Sequence, residues 1–257
     1  MRVLRLTVAY DGTSYVGWQR QAEGRSIQGV LEDALWHLDP ACGPLHAAGR
    51  TDAGVHALAQ VVSVGVHTAV RVDAVRRALN VRLPPDVRVM QVVEAADTFH
   101  ARYDALAKTY RYRVWNGPVL PPVEHRYAWH VPQPLDIVAM QEAARHIEGT
   151  HDFAAFQSSG GDVTSTVRTV FSARLLTTED TPLLRYEVRG DGFLRHMVRA
   201  MVGTLLEVGT GRRPAAWVAD AIASRSRGRA GQNVPPHGLW LVSVEYPEDP
   251  SGTAPPV

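Results

Sequence analysis

The residues Gly49-Arg50-Thr51-Asp52-Ala53-Gly54-Val55-His56-Ala57 have types and spacing that could do chemistry. Two glycines bracket one acid, an arginine lies two positions before it, and the alternating run Val62, Val64, Val66 follows. Glycine permits backbone angles and close approaches that a side chain forbids, so this loop can hold a carboxylate at the floor of a cleft. Asp also commonly caps its own turn, and loop composition alone leaves both uses open. A second set lies in Thr109–Trp115, read as a strand with Tyr110 and Tyr112 on one side and Arg111 and Arg113 on the other. Two tyrosines on one face commonly pack as an aromatic pair in a core. A third is Phe193-Leu194-Arg195-His196-Met197-Val198-Arg199, expected to open a helix reaching Leu206, with Met197, Met201, Leu205 and Val208 as its buried stripe. Arg195 and Arg199, four apart, are expected to share another face of it. Two like charges there cost about 0.2–0.5 kcal/mol and oppose the helix dipole, a cost that an acid or phosphate opposite them reverses.

The elements that must position these residues fall into two halves. Leu4, Leu6, Val8 and Tyr10 alternate as a strand, and Ser26 caps a helix with Ile27, Val30, Leu31, Ala34, Leu35 and Leu38 on one face. A strand at 59–66, a helix near 73–83 stopped by Pro84-Pro85, and a strand at 87–93 complete the first half. In the second half the strand at 109–115 precedes a helix at about 136–148, strands at 170–177 and 183–189, the helix from Phe193, and a last strand at 239–245. Each half reads as the split β-α-β-β-α-β pattern of ferredoxin-like folds. The expected division is 1–105, then 106–246, with 247–257 a disordered tail. Residues 117–134, rich in proline, read as a long loop inside the second half.

The chain has 257 residues, 45% hydrophobic and 21% charged, which describes a globular protein. No apolar run reaches membrane-spanning length, and Met1-Arg2-Val3-Leu4-Arg5-Leu6 lacks a signal-peptide layout. Cys42 is the only cysteine, so no internal disulfide can form, and a cytoplasmic location is expected. The net charge of +1 hides an uneven distribution: residues 195–232 carry seven arginines against Glu207 and Asp220. Phosphate binding follows such local potential rather than the sum. Lys108 is the only lysine among 27 basic residues, a bias that suits RNA recognition and that a GC-rich genome would equally produce. Ser224-Arg225-Ser226-Arg227-Gly228-Arg229 reads either as an RNA-contacting loop or as a solvated one. Gly209-Thr210-Gly211 reads as a helix C-cap. No phosphate-loop or dinucleotide fingerprint occurs, and the eleven histidines show no metal spacing.

Arg-Thr-Asp-Ala-Gly-Val-His-Ala resembles the signature of the tRNA pseudouridine synthase A (TruA-type) family, whose nucleophilic aspartate lies where Asp52 lies. Four further stretches match the same family in order. They are Tyr10-Asp11-Gly12-Thr13 with Gly17-Trp18-Gln19-Arg20-Gln21; Phe99-His100-Ala101-Arg102-Tyr103 running on to Tyr112; Phe193–Arg199; and Gly238-Leu239. Around the last, Val234-Pro235-Pro236-His237-Gly238-Leu239 departs from the family's Ala-Pro-Ala-x-Gly-Leu, a change expected to leave the chemistry untouched.

The resemblance implies an α+β pseudouridine synthase fold whose two ferredoxin-like halves form a central antiparallel sheet with a basic cleft. It implies an isomerase acting on uridines 38, 39 and 40 of the tRNA anticodon stem-loop, working as a homodimer with no cofactor and no metal. It places Asp52 as the nucleophile, Tyr110 against the target uracil, and Arg199 as the charge partner of Asp52. Arg195 and Arg50 join the substrate-binding residues, Arg50 entering the base stack to hold the uridine out. Two other classes compete. A non-catalytic RNA-binding protein with a ferredoxin-like fold accounts for the arginines and leaves the Asp loop unexplained. A hydrolytic glycosidase would need a second carboxylate, which the Asp loop lacks.

Overall fold

A computed structural model of the chain describes residues 1–160, 163–178 and 180–247. In chain order the elements are β1 (Arg2–Tyr10), α1 (Ile27–Trp36), β2 (His46–Ala47), β3 (His56–Val66), α2 (Val72–Arg82), β4 (Val87–Ala95), β5 (Ala107–Trp115), β6 (Trp129–His130), α3 (Ile137–Arg145), β7 (Gly149–Asp152), β8 (Val167–Thr178), β9 (Thr181–Gly190), α4 (Met197–Gly209), α5 (Trp217–Ser224) and β10 (Leu239–Glu245). The class is α+β; β1 pairs antiparallel with β3 and β4, β2 with β3, β5 with β9, and β8 with β7 and β9, while β10 on β3 and β6 on β5 are parallel.

The chain divides into two compact units, Met1–Leu106 joined by the segment from Trp240 on, and Ala107–Leu239. The strand at 239–245, expected in the second half, pairs with β3 of the first unit: Trp240 lies opposite His56 and Leu241 opposite Ala57. The tail expected to be disordered lies, from 248 on, outside the described residues.

In the first unit β1 runs between β4 and β3, with Leu6 opposite Val92 on one side and Val62 on the other. The two-residue β2 covers β3 only at Val62 and Ser63, and β10 takes the edge near His56. Ser26 starts α1 as expected, its hydroxyl accepting the Gly29 N–H at 3.1 Å. Ile27, Leu31 and Leu35 of α1, Val75 and Leu79 of α2, and Leu4, Leu6 and Val8 of β1 are all buried. Each such side chain contributes about 1.5–3 kcal/mol relative to exposure. On a second cluster Ala48, Val61 and Ala101 pack with Phe99, Val244 and Tyr246, and the Tyr246 hydroxyl donates to Ala101 O at 2.7 Å.

In the second unit the strand order is β5-β9-β8-β7. Asp136 caps α3 through the Ala139 N–H at 2.9 Å, and α3 packs on α4 and β8. Only Arg199 and Glu207 escape full burial on α4, so its expected stripe is closer to a whole circumference. The helix is capped at Thr210, with Gly211 in the left-handed region, as expected of Gly209-Thr210-Gly211. The proline-rich stretch is an ordered loop. Asn116 Nδ2 donates to Val131 O and Gln133 O, both at 2.7 Å, and Arg113 pairs with Glu124 at 2.7 Å.

Candidate active site

Asp52 sits half-buried in the first unit, in a loop whose shape is set by its neighbours. The turn is closed by the backbone, Val55 N–H to Asp52 O at 3.2 Å. Thr51, 7% exposed, points inward and shares a 2.8 Å hydrogen bond with the Tyr10 hydroxyl. Gln60 Nε2 donates to Gly49 O at 2.7 Å and reaches the same Tyr10 oxygen at 3.5 Å. The loop is thus tied at two points, before and beside the acid, to the end of β1 and to the middle of β3. Burial pushes the Tyr10 hydroxyl up to about 12, against the opposite pull of its bonds to Thr51 and Gln60. The group stays neutral, so the support beneath Asp52 carries no charge of its own.

The family's other N-terminal match meets this loop in space. Trp18 N–H donates to Thr51 O at 3.0 Å. Gly17 has φ +107°, and a Cβ there would lie 2.8 Å from Thr51 O and 3.1 Å from Ala53 N. Only glycine suits that position. The Gly12 N–H donates to Nδ1 of the wholly buried His56 at 3.1 Å, and the imidazole stacks on Trp240 with ring centres 4.3 Å apart. Two stretches forty residues apart in sequence therefore build one cradle. Arg50 stands exposed at its rim.

Tyr110, Arg195 and Arg199 belong to the second unit. The strand alternation of β5 holds: Tyr110 and Tyr112 are 7% and 0% exposed, while Arg111 and Arg113 lie on the other side. Arg111 pairs with Glu187 at 2.6 Å. The tyrosines nonetheless differ. The Tyr112 hydroxyl donates to Pro235 O at 2.8 Å, its ring lies against Gly238, and burial drives its pKa up. Tyr110 meets Phe193 edge to face, with ring centres 5.1 Å apart.

The helix expected from Phe193 begins four residues later, at Met197. His196 takes a left-handed conformation with φ 61°, which breaks the helical run that the apolar spacing of Phe193 and Leu194 suggested. Arg195 therefore precedes the helix and does not share a helical face with Arg199. It is exposed and donates to Ser159 O at 2.9 Å and Gly160 O at 3.4 Å. Arg199, half-buried in the first turn of α4, donates from Nε to Val234 O at 2.7 Å. The stretch departing from the family pattern thus does touch this arginine, through a backbone carbonyl that any residue supplies.

Sequence reasoning missed what holds Val234. Asn233 Nδ2 donates to Ser158 Oγ at 2.9 Å, and Ser158 Oγ lies 2.9 Å from His196 Nδ1. The Gly231 N–H donates to Thr204 Oγ1 of α4 at 2.8 Å. A Cβ on Gly203 would fall inside the Gln232 carbonyl oxygen, so the loop backbone lies directly on the helix there. The arginine cluster is also less free than a count suggests. Arg225 pairs with Asp152 at 3.1 Å, Arg212 with Glu207 at 3.1 Å, and Arg213 lies over the Trp217 ring. Among the described residues no group of three or more His, Cys, Asp or Glu could hold a metal ion. None of their helices is long and apolar enough to cross a membrane.

The Asp52 loop thus belongs to one unit, and the Tyr110 strand and the Arg199 helix to the other. A family model described as tRNA pseudouridine synthase matches residues 6–104 and 143–247, and the chain belongs to that family, whose members isomerise uridine to pseudouridine in tRNA. Its relatives include the tRNA pseudouridine synthase A of Syntrophotalea carbinolica, 46% identical over 97% of this chain and 98% of that protein. That of Myxococcus xanthus is 45% identical over 98% and 95%. That of Moorella thermoacetica is 44% identical over 96% of this chain and all of its own. The first matched segment contains Asp52 and the second Arg195 and Arg199. Tyr110 falls between them, within the span of the full-length relatives.

Proposed function

We propose that this chain isomerises uridine to pseudouridine at positions 38, 39 and 40 of the tRNA anticodon stem-loop, as a cytoplasmic homodimer that uses no cofactor. The observation that supports this most is the Asp52 loop, fixed by Tyr10, Thr51, Gln60 and Gly17 in a chain of this family. The C1′–N1 glycosidic bond breaks, the uracil turns, and C5 joins C1′; the C5 proton leaves to solvent and N1 gains one. Asp52 acts as nucleophile by attacking C1′, and the same carboxylate in the same place could instead take the C2′ proton. Both routes need it ionised, and Arg199 supplies the countercharge. Tyr110 presents its ring to the uracil, a flat surface that tolerates turning. Arg50, exposed at the rim of the loop, enters the stack as the uridine leaves it, and Arg195 adds to the basic surface for the anticodon arm.

The test is release of tritium from tRNA carrying C5-labelled uridine. The expected result is release matched by pseudouridine at 38, 39 and 40 and abolished by Asp52→Asn. Pseudouridine confined to another arm of the tRNA would overturn the site preference, and no release from any tRNA would overturn the activity.

A further inference from the structure

Within the 224–229 loop Arg227 turns toward the protein, while Arg225 and Arg229 stay exposed. It is half-buried, and burial pulls its guanidinium below its ordinary pKa. One terminal nitrogen donates to Gly231 O at 2.8 Å and reaches Ala230 O at 3.4 Å, and the other donates to Asn233 Oδ1 at 3.1 Å. Sequestering a cation against neutral acceptors is costly unless they are well placed. Here they all lie in the four residues that lead to Val234. The Asn233 amide is used fully and in one orientation, its oxygen accepting from Arg227 and its nitrogen donating to Ser158. Ser158 in turn meets His196, the residue before α4. With Gly231 bound to Thr204 on that helix, the segment is fixed at both ends of a short run whose next carbonyl takes the Arg199 Nε–H.

We propose that Arg227 is a positioning residue for Arg199, its guanidinium clamping residues 230–233 so that the Val234 carbonyl holds Arg199 in its working orientation. The proposal rests on the role given above to Arg199 in the reaction. It assigns Arg227 no contact with RNA. A planar fork with two donor directions is required, so lysine does not replace it. Displacing a reacting or pairing group by about 1 Å can cost up to about a hundredfold in rate.

The experiment compares Arg227→Met and Arg227→Lys with the wild type in steady-state turnover of tRNA, with binding measured across a salt series. The expected result is a ten- to hundredfold fall in kcat for both variants, KM for tRNA within twofold, and an unchanged salt dependence of binding. In an Arg199→Met background, Arg227→Met should cost nothing more, because nothing is left to position. A raised KM with the salt slope reduced by about one would make Arg227 a phosphate contact and overturn the clamp. So would full activity of Arg227→Lys, or additive losses in the double variant. Should Arg227→Met not accumulate as folded protein, Asn233→Ala cuts the same link, and wild-type kcat in that variant overturns the clamp equally. Arg199→Met distinguishes the two ideas. If it is silent, the role of Arg199 falls and the clamp with it. If it is severe while Arg227→Met is silent, the clamp alone falls.

Discussion

In the first unit the loop around Asp52 is held by side chains that the sequence spells out. Thr51 meets Tyr10, Gln60 reaches the Gly49 carbonyl, and Gly17 makes room for the loop backbone. In the second unit Arg199 is held by a carbonyl, that of Val234, on a segment held in turn by Arg227 bonds to two more carbonyls. The supports named for the Asp52 loop come from its neighbours Thr51, Gly49 and Gly17, whereas the guanidinium of Arg199 is itself part of what fixes its surroundings.

The largest effect expected from this contrast is on turnover. Asp52→Asn should lower pseudouridine formation by more than about a thousandfold, since an amide neither attacks nor takes a proton. Its melting temperature should stay within about 2 °C of the wild type. Arg199→Met should also lose activity, yet with a fall in stability of about 1.5–3 kcal/mol, the scale of a lost charge-assisted hydrogen bond. Melting curves beside single-turnover rates check both, and equal stability losses in the two variants would erase the distinction drawn here.

A smaller effect probes the two backbone contacts. Gly17→Ala must adopt φ +107° and meet Thr51 O, and Gly203→Ala must push the Gln232 carbonyl off α4. Each should cost about 2–3 kcal/mol, the sum of strain and displaced packing. Gly17→Ala should depress kcat by disturbing the aspartate loop, and Gly203→Ala by disturbing the Val234 carbonyl. Chemical denaturation and kcat, measured together, check this, and a destabilised Gly203→Ala with wild-type kcat would overturn the link between this contact and Arg199.

These contacts also show why some of the molecule was legible and some was not. Alternation in β1 and β5, the Ser26 cap and the Gly-bracketed Asp52 all act through side-chain type, which a sequence records. The start of α4 was misplaced because Phe193 and Leu194 continue its apolar spacing while His196 adopts a positive φ that no pattern announces. A seven-residue apolar run does not say which strands it joins, so nothing in the sequence announces that the last strand pairs with β3. The contact of Arg199 with Val234 was invisible for a simpler reason: every residue has a carbonyl. The family's Ala-Pro-Ala run, altered here to Val234-Pro235-Pro236, marked the segment without saying what it does.

The tyrosine pair offers a finer test, since Tyr110 and Tyr112 share a face but not an environment. Tyr110→Phe keeps the ring against Phe193 and should bind tRNA normally while losing turnover about tenfold or more. Tyr112→Phe leaves Pro235 O without its donor and should cost about 1–2 kcal/mol of stability with kcat nearly unchanged. Single-turnover rates and melting curves on the two variants should cross. Equal losses of rate would return Tyr110 to a purely packing role.

The smallest effect is invisible at neutral pH in the wild type and concerns the neutral support beneath Asp52. Burial raises Tyr10 to about 12 in the folded protein, above the ordinary tyrosine value of 10.0. Below pH 10 both folded and unfolded chains keep the proton, and the full contribution of the neutral hydroxyl is present. Between pH 10 and 12 the unfolded chain releases the proton and the folded one holds it, so the unfolded state binds fewer protons and stability falls as pH rises. One such group steepens the fall by at most about 1.4 kcal/mol per pH unit. Tyr112 and Tyr186 are also raised by burial, so the wild type should lose stability steeply in this range. Tyr10→Phe should remove one proton's share of that slope while costing about 1 kcal/mol at pH 7 through the lost bond to Thr51. Urea unfolding at half-unit steps from pH 9 to 11.5 measures it, and a slope unchanged by Tyr10→Phe would show that this hydroxyl ionises freely and does not sit sealed under the aspartate loop.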